Sequence, residues 1–590
     1  MSPTIKVLPD GDDVAAETGE ALEAVLARAG VALSLYCGGR GLCGKCFVEI
    51  VGGEVAEARD DERVLAARRG LGPRFRLACR LEVAGDLAVR IPPSSILPRM
   101  PVLSQGVERS FLLDPAIRKI RLAVPKPELA EPEGLFDLVR ARFPQESLTA
   151  SPDGLRSLVR AWAARGPGDE ITVVLHGGRE LLTAEPGDTS ERAYGLALDL
   201  GTTTLVVELV DLISGRLIDS AAGLNAQVKF GADVVSRITA AFGDPARAEE
   251  LRRVLLDGLT GLIESLRTRA GVDPGDIYEA VVAGNTAMNH LFLGLPVDTL
   301  AVAPYFAGFS TLPPVSAAAS GLAINPAGKV VVAPNLKSFV GGDISAGLAA
   351  VDAVRHPGNF LFVDLGTNGE LVLKSGDRFT ATSTAAGPAF EGMTIGCGML
   401  ALPGAVFKAA ASSGEAVAVE TIGGAPPRGV CGTGLIDLVA LALRRGRLSP
   451  QGHILDASKT IPVAEGLALT QRDIREIQLA AAAVKTGVQM LLEAERLDVA
   501  SLDEVIVAGA FGTYLDLENA MALGLLPRVP MEKIRFVGNS SLAGARAMLL
   551  SREERARCEA LSGRVGHENL AQGPAFQARF VAALEFKEWS

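Results

Sequence analysis

The chain has 590 residues, of which 48% are hydrophobic and 22% charged, and its formal net charge is −11. That length exceeds what one hydrophobic core supports and leaves room for roughly three or four domains. The acidic balance argues against nucleic acid as a partner. With no apolar segment after Met1 and no run long enough to span a bilayer, a cytoplasmic protein without a membrane partner is expected.

Of seven cysteines, four fall in the first eighty residues. Ile5 to Leu8 reads as a strand and Glu17 to Ala29 as a helix. Tyr36-Cys37-Gly-Gly-Arg-Gly-Leu-Cys43-Gly-Lys-Cys46 follows, a loop with four glycines that can wrap a cluster closely and aim N–H groups at sulfur. Phe47 to Val51 reads as a strand, Glu62 to Arg69 as a short helix, and Leu77 to Val83 as a strand that brings in Cys79. The pattern C-x5-C-x2-C-x32-C fits poorly with structural zinc, which wants two C-x2-C pairs where only Cys43/Cys46 supplies one. Unliganded thiols are the other alternative. This order resembles the ferredoxins that hold a two-iron two-sulfur cluster on a β-grasp fold, and the resemblance implies Cys37, Cys43, Cys46 and Cys79 as its ligands. The first interval, one residue longer than the plant-type spacing, lies closer to the adrenodoxin-like branch. Arg68, Arg69, Arg74, Arg76 and Arg80 read as a solvated basic face, or as a dock for an acidic redox partner.

A ferredoxin-like domain over 1–92 is followed by a proline-bearing linker over 93–134, in which Phe111 to Val124 alternates enough to form a strand. Amphipathic helices at 135–143 and 155–164 and strands at 170–175 and 179–183 predict a small α+β middle domain over 135–190, with no visible chemistry.

The remainder, 191–590, carries an internal repeat. Tyr194-Gly-Leu-Ala-Leu-Asp-Leu-Gly-Thr-Thr-Thr204 reads as a buried strand entering a tight turn whose N–H groups and hydroxyls can hold a phosphate. Phe360-Leu-Phe-Val-Asp-Leu-Gly-Thr-Asn-Gly-Glu370 repeats it, and each copy leads into two further short strands. A Val-Ala-Gly element follows each: Gly284 lies 85 residues after Asp199, whereas Gly509 lies 145 after Asp364, so the second half contains an insertion. Two such halves suggest a nucleotide in the cleft between them. Asp199 and Asp364 would hold hydrated Mg²⁺ or orient water, and Gly201, Thr202, Thr203, Thr204, Gly366, Thr367 and Asn368 would bind phosphate. Gly509 and Gly512, after the long helix 471–496 and the strand 504–508, would let adenosine lie against the backbone. Asp343, in a Gly–Asp turn before a helix, is either a group of the metal shell or a helix N-cap. These motifs resemble the phosphate and adenosine motifs of the acetate and sugar kinase, Hsp70 and actin superfamily. The fold expected is therefore multidomain α/β, with duplicated actin-like, ribonuclease H-like lobes behind a β-grasp domain.

Together the ferredoxin loop, linker, middle domain and lobes carrying Gly-Asn-Thr, Gly-Pro-Ala-Phe-Glu-Gly and Ala-Gly-Ala-Phe-Gly signatures look like the reductive activators of corrinoid proteins. The resemblance implies ATP-dependent transfer of an electron from a two-iron cluster to the Co(II) corrinoid of a methyltransferase-system partner, restoring Co(I). A small-molecule kinase fused to a redox sensor and a nucleotide-binding scaffold without turnover are the rival readings. The sequence names neither the corrinoid partner nor the electron donor, and a homodimer is one assembly it allows.

Overall fold

The computed structural model describes residues 3–8, 12–29, 31, 33, 41, 44–68, 70–92, 95–96, 109–123, 134–165, 170–231, 233–366, 368–412, 417–509, 514–568 and 574–589. Cys37, Cys43, Thr367 and Gly512 lie outside them.

The N-terminal sheet contains β1 (Thr4–Leu8), β2 (Asp12–Ala15), β3 (Phe47–Gly52), β4 (Phe75–Leu77) and β5 (Leu87–Arg90) in the order β2-β1-β5-β3-β4. β1 and β5 pair in parallel and the other pairs are antiparallel, the mixed sheet of a β-grasp. Alternating residues of these strands bury Ile5, Val48, Leu77 and Val89 against Leu22, Val25 and Leu26 of the helix Leu22–Arg28. That helix starts later than the expected Glu17. The expected strand 77–83 is shorter than its pattern: β4 ends at Leu77, and Cys79 sits in the 3₁₀ turn Ala78–Arg80.

The middle domain is a four-stranded sheet of β6 (Ile117–Ala123), β7 (Thr149–Ala150), β8 (Glu170–His176) and β9 (Glu180–Pro186), ordered β6-β8-β9-β7 and packed on the helix Pro152–Ala163. β6 falls in the segment read from sequence as linker, yet it pairs along its whole length with β8. This domain is pinned to the lobe that follows by polar contacts. Lys119 Nζ, paired with Glu185 of its own domain at 2.7 Å, reaches the Tyr278 hydroxyl of the lobe at 3.0 Å, and His176 Nε2 meets Glu279 at 3.1 Å. The fully buried Glu279 also takes two 2.9 Å bonds from Arg555, so its desolvation is offset by a bidentate partner.

The two lobes repeat one another. In the first, β10 (Tyr194–Leu200), β11 (Thr204–Asp211), β12 (Leu217–Leu224), β13 (Ile277–Gly284), β14 (Val315–Ser316) and β15 (Lys329–Val332) are ordered β12-β11-β10-β13-β15-β14. In the second, the core strands are β16 (Phe360–Leu365), β17 (Gly369–Ser375) and β18 (Arg378–Thr384). Before the sheet resumes come β19 (Ala405–Ala411), β20 (Val417–Thr421), β21 (Gly429–Val430), β22 (Thr460–Ala464) and β23 (Leu467–Thr470), which form two small separate sheets and account for the longer spacing. β24 (Glu504–Ala508), β25 (Ile534–Gly538) and β26 (Val565–His567) complete the order β25-β24-β16-β17-β18-β26. In both lobes an antiparallel three-strand meander is extended by a parallel strand beside its first member. The register repeats too: Asp199 stands opposite Ala283, and Asp364 opposite Ala508.

The helices Gly342–Ala350 and Ser540–Leu550 cross between the lobes. A Cβ on Gly544 would lie 1.8 Å from the carbonyl oxygen of Ala346, and one on Gly347 would lie 2.8 Å from Ser540 Oγ. Glycine at both positions lets the two backbones touch, which places the N-terminus of each helix at the cleft.

Candidate functional site

Two of the four cysteines expected to hold the cluster are among the described residues, and they lie together. Cys46 Sγ and Cys79 Sγ are 3.4 Å apart. That is far beyond a disulfide of about 2.05 Å and close to the separation of about 3.7 Å that two sulfurs at about 2.3 Å take on one tetrahedral metal. The pair therefore fits a shared metal. Cys46 is buried at the start of β3, and Cys79 is positioned by the salt bridge beneath it. Buried Glu62 accepts from Arg76 Nε at 3.0 Å and Nη2 at 3.2 Å, and from the backbone N–H of Leu77 at 2.6 Å. Arg76 thus belongs to the domain's core and not to the basic face expected for it. Arg80 packs on the loop itself, since a Cβ on Gly41 would collide with its Nε.

At the cleft between the lobes, the first turn expected to bind phosphate spans 201–203, between β10 and β11, and its counterpart follows β16 at Gly366. The first turn is held from below: Asn225 Nδ2 donates to the carbonyl of Gly201 at 2.9 Å, Asn285 Nδ2 to Thr202 Oγ1 at 3.1 Å, and Arg237 to the carbonyl of Thr202. Arg237 is itself buried, and desolvation pulls its guanidinium down to about 10. Thr203 Oγ1 donates across to Glu391 Oε2 at 3.0 Å.

Asp199, at the end of β10, accepts from Asn539 Nδ2 at 2.8 Å and from Ser541 Oγ at 2.9 Å. These two residues come from the start of the helix Ser540–Leu550, where Asn539 also caps the helix by accepting from Leu542 N at 2.9 Å. Burial nevertheless outweighs these bonds and raises the Asp199 carboxyl. Asp364 occupies the same place in the second lobe, and burial, then the charge of Asp199, pushes it up to about 7. Asp343 is raised by burial and by Asp364, and Glu370 well above its usual range by burial and by Asp343 and Asp364. Four carboxylates therefore share one neighbourhood, in which Asp199 opposes ionisation of Asp343 and Asp364, and Asp343 and Asp364 oppose that of Glu370. Among the described residues no three such side chains converge closely enough to ligate a metal directly. The donor set suits a cation that keeps its own waters, as Mg²⁺ does.

Asp343 lies in the first turn of its helix, with Gly341 at the cap position, and its carboxylate accepts from the N–H of Ile344 at 2.9 Å. The N-cap reading is thus replaced by membership of the acidic cluster. The sequence reading gives Glu370, Asn539, Ser541 and Glu391 no role in the cleft, although Glu370 follows the second turn at once, Asn539 and Ser541 lie in a helix-capping stretch and Glu391 lies in the Gly-Pro-Ala-Phe-Glu-Gly signature. Gly509 has φ +95°, and a Cβ there would fall 2.8 Å from the carbonyl oxygen of Leu365 and 3.0 Å from Asp364 Oδ1. The glycine keeps this edge of the cleft open beside the acid.

With these two centres in view, the relatives become informative. Residues 5–84 match the two-iron two-sulfur cluster binding domain, 106–191 the RACo linker region, 194–355 the RACo middle region and 358–589 the C-terminal domain of RACo, the ASKHA domain. The chain is 31% identical to the corrinoid activation enzyme RamQ of Eubacterium limosum over 590 aligned residues, covering 95% of each. The chain belongs to the family of reductive activators of corrinoid proteins. A solved structure titled reductive activator for corrinoid, iron–sulfur protein superposes with a TM-score of 0.75 at 33% identity, covering 99% of this chain and 98% of that one. The [Co(II) methylated amine-specific corrinoid protein] reductase of Methanosarcina barkeri is 27% identical over 398 residues, 61% of this activator and 70% of the reductase. No helix among the described residues of the activator is long and apolar enough to cross a membrane.

Proposed function

We infer that this activator uses ATP to drive an electron from a two-iron two-sulfur cluster to the Co(II) corrinoid of a partner protein in a methyltransferase system, restoring Co(I). The observation that carries this reading is the union, in one chain aligned along 95% of its length with a corrinoid activation enzyme, of the Cys46/Cys79 pair with the Asp199/Asp364 cleft.

Cys37, Cys43, Cys46 and Cys79 hold the cluster, which supplies one electron at a time at a potential of about −400 mV if plant-type. An external donor returns that electron. In the cleft, Gly201 to Thr204 and Gly366 to Asn368 hold the phosphates through N–H groups and hydroxyls, while Gly509 and Gly512 admit the adenosine. Asp199 and Asp364 would hold hydrated Mg²⁺ or orient the attacking water. Bound there, Mg²⁺ would supply the positive charge that these carboxyls, held raised by burial, are placed to meet.

A Co(I) nucleophile is a more reducing product than the cluster readily makes, and each shortfall of about 59 mV costs a factor of ten in a one-electron equilibrium. Closure of the lobes on ATP supplies the difference if the closed state binds the partner with its cobalt easier to reduce. The test is Asp199→Ala. Reactivation of an oxidised corrinoid partner should lose its ATP dependence, and a variant that reactivates at the normal rate with that dependence intact sinks the reading.

A further inference from the structure

The ferredoxin domain touches the nucleotide lobes at a point continuous with the phosphate turn. Lys45, which stands next to Cys46, donates from Nζ to the carbonyl oxygen of Gly398 at 2.6 Å. Gly398 belongs to the irregular segment 385–402 of the second lobe, whose other landmark is Glu391, the acceptor for Thr203 Oγ1 at 3.0 Å. The two landmarks are locked to one another. Gly392, with φ +74°, is packed so closely that a Cβ there would lie 2.6 Å from Met399 N, and a Cβ on Gly398 would lie 2.3 Å from the carbonyl oxygen of Gly392. Neither residue can shift without moving the other.

The segment is anchored on both sides of this pair. Gly396 N donates to Asp473 at 2.7 Å, Met399 N to Val430 O at 3.0 Å, and Val430 N to Cys397 O at 2.9 Å. Met393, Leu400 and Leu402 close over Leu224 at the end of β12 in the opposite lobe. Contact therefore runs unbroken from Thr203 through Glu391, Gly392, Gly398 and Lys45 to the cluster ligand Cys46.

We propose that the segment 391–398 is a latch through which a nucleotide phosphate at the first turn releases the ferredoxin domain from the second lobe. This rests on the reading of Gly201–Thr204 as a phosphate site. In the structure the hydroxyl of Thr203 is given to Glu391 and Lys45 seats on Gly398. A nucleotide phosphate takes that hydroxyl and places negative charge beside the Glu391 carboxylate. Glu391 withdraws, Gly392 follows, and the tightly packed Gly398 carbonyl leaves the lysine. The cluster domain is then free to turn from the lobes toward the corrinoid partner. Lys45 is a positioning residue here: it touches neither nucleotide nor substrate.

Linkage makes the latch measurable, because a contact that nucleotide must break lowers nucleotide affinity by the same factor. Titration calorimetry of the full-length, cluster-loaded chain with Mg²⁺ and a non-hydrolysable ATP analogue should show Lys45→Met binding at least about fivefold tighter than the parent chain, at the lower end of usual coupling factors. In a Glu391→Gln background, whose neutral amide is not repelled by phosphate, Lys45→Met should add nothing. Independently of any variant, the analogue should accelerate hydrogen exchange at the amides of 396–399 in the parent chain. Equal affinities for the parent and Lys45→Met, or exchange at 396–399 indifferent to the analogue, overturns the latch while leaving the ATP site standing. A parent chain that does not bind the analogue removes both.

Discussion

Replacing Asp364 by Asn isolates the electrostatic load of the cleft. The carboxyl is displaced from 3.8 to about 7 by burial and by Asp199, roughly three pKa units at about 1.4 kcal/mol each, so its ionised form costs the empty fold up to about 4 kcal/mol. The direction in pH follows from which state holds the proton more tightly. Folded Asp364 stays protonated where the unfolded chain has already ionised, so the penalty is absent below about pH 4, grows between about pH 4 and pH 7, and is constant above. Asp364→Asn should therefore match the parent chain near pH 4 and exceed it by about 2–4 kcal/mol at pH 8. The measurement is urea unfolding of the lobes in chelator at both pH values, taking the difference between the two chains so that other titrating groups cancel. Adding Mg²⁺ and ATP should stabilise the parent by more than the variant, because the variant offers the cation one fewer carboxylate. A variant no more stable than the parent at pH 8, or one whose advantage does not change with pH, would refute the account of the cleft as an acidic cluster awaiting a cation.

Cys79→Ser should abolish the visible absorption and the reduced-state paramagnetic signal of the two-iron cluster while leaving analogue binding within about twofold, as read by absorption and calorimetry on the same preparation. Gly509→Ala puts a methyl group against Asp364 Oδ1 and the Leu365 carbonyl at a left-handed φ, costing about 1–3 kcal/mol of backbone strain, and should weaken nucleotide binding about tenfold or more with the far-ultraviolet dichroism unchanged. Gly544→Val drives a side chain into the Ala346 carbonyl where the interlobe helices cross, and should destabilise the lobes by about 3 kcal/mol or more in chemical unfolding; wild-type stability would mean the crossing is looser than described.

How much of this was legible in the sequence depends on the distance over which each signal acts. The repeat is written locally: an apolar run, an aspartate and a glycine turn recur in order, and the fold returns them in matching register, Asp199 opposite Ala283 and Asp364 opposite Ala508. The insertion is legible as unequal spacing, though not as the two small sheets that fill it. Glu370 reads as an ordinary strand residue because only the tight hairpin, which sets it opposite Asp364, turns it into a cleft acid. Asn539 and Ser541 reach Asp199 across 340 and 342 residues, and nothing in a helix-capping sequence announces what else its amide will hold. Cys79 shows the same limit at short range, since the alternation around it suits a strand and the backbone instead makes a 3₁₀ turn. The side chains that tune the acids are those brought in by the crossing of the helices Gly342–Ala350 and Ser540–Leu550. The helix Ser540–Leu550 packs Leu542, Ala545, Met548 and Leu549 into one core with Ala197 of β10, so the groups at its start reach Asp199 from within the same lobe. Asp199 is therefore held through Asn539 and Ser541 by a helix that is distant in sequence but packed on its own sheet.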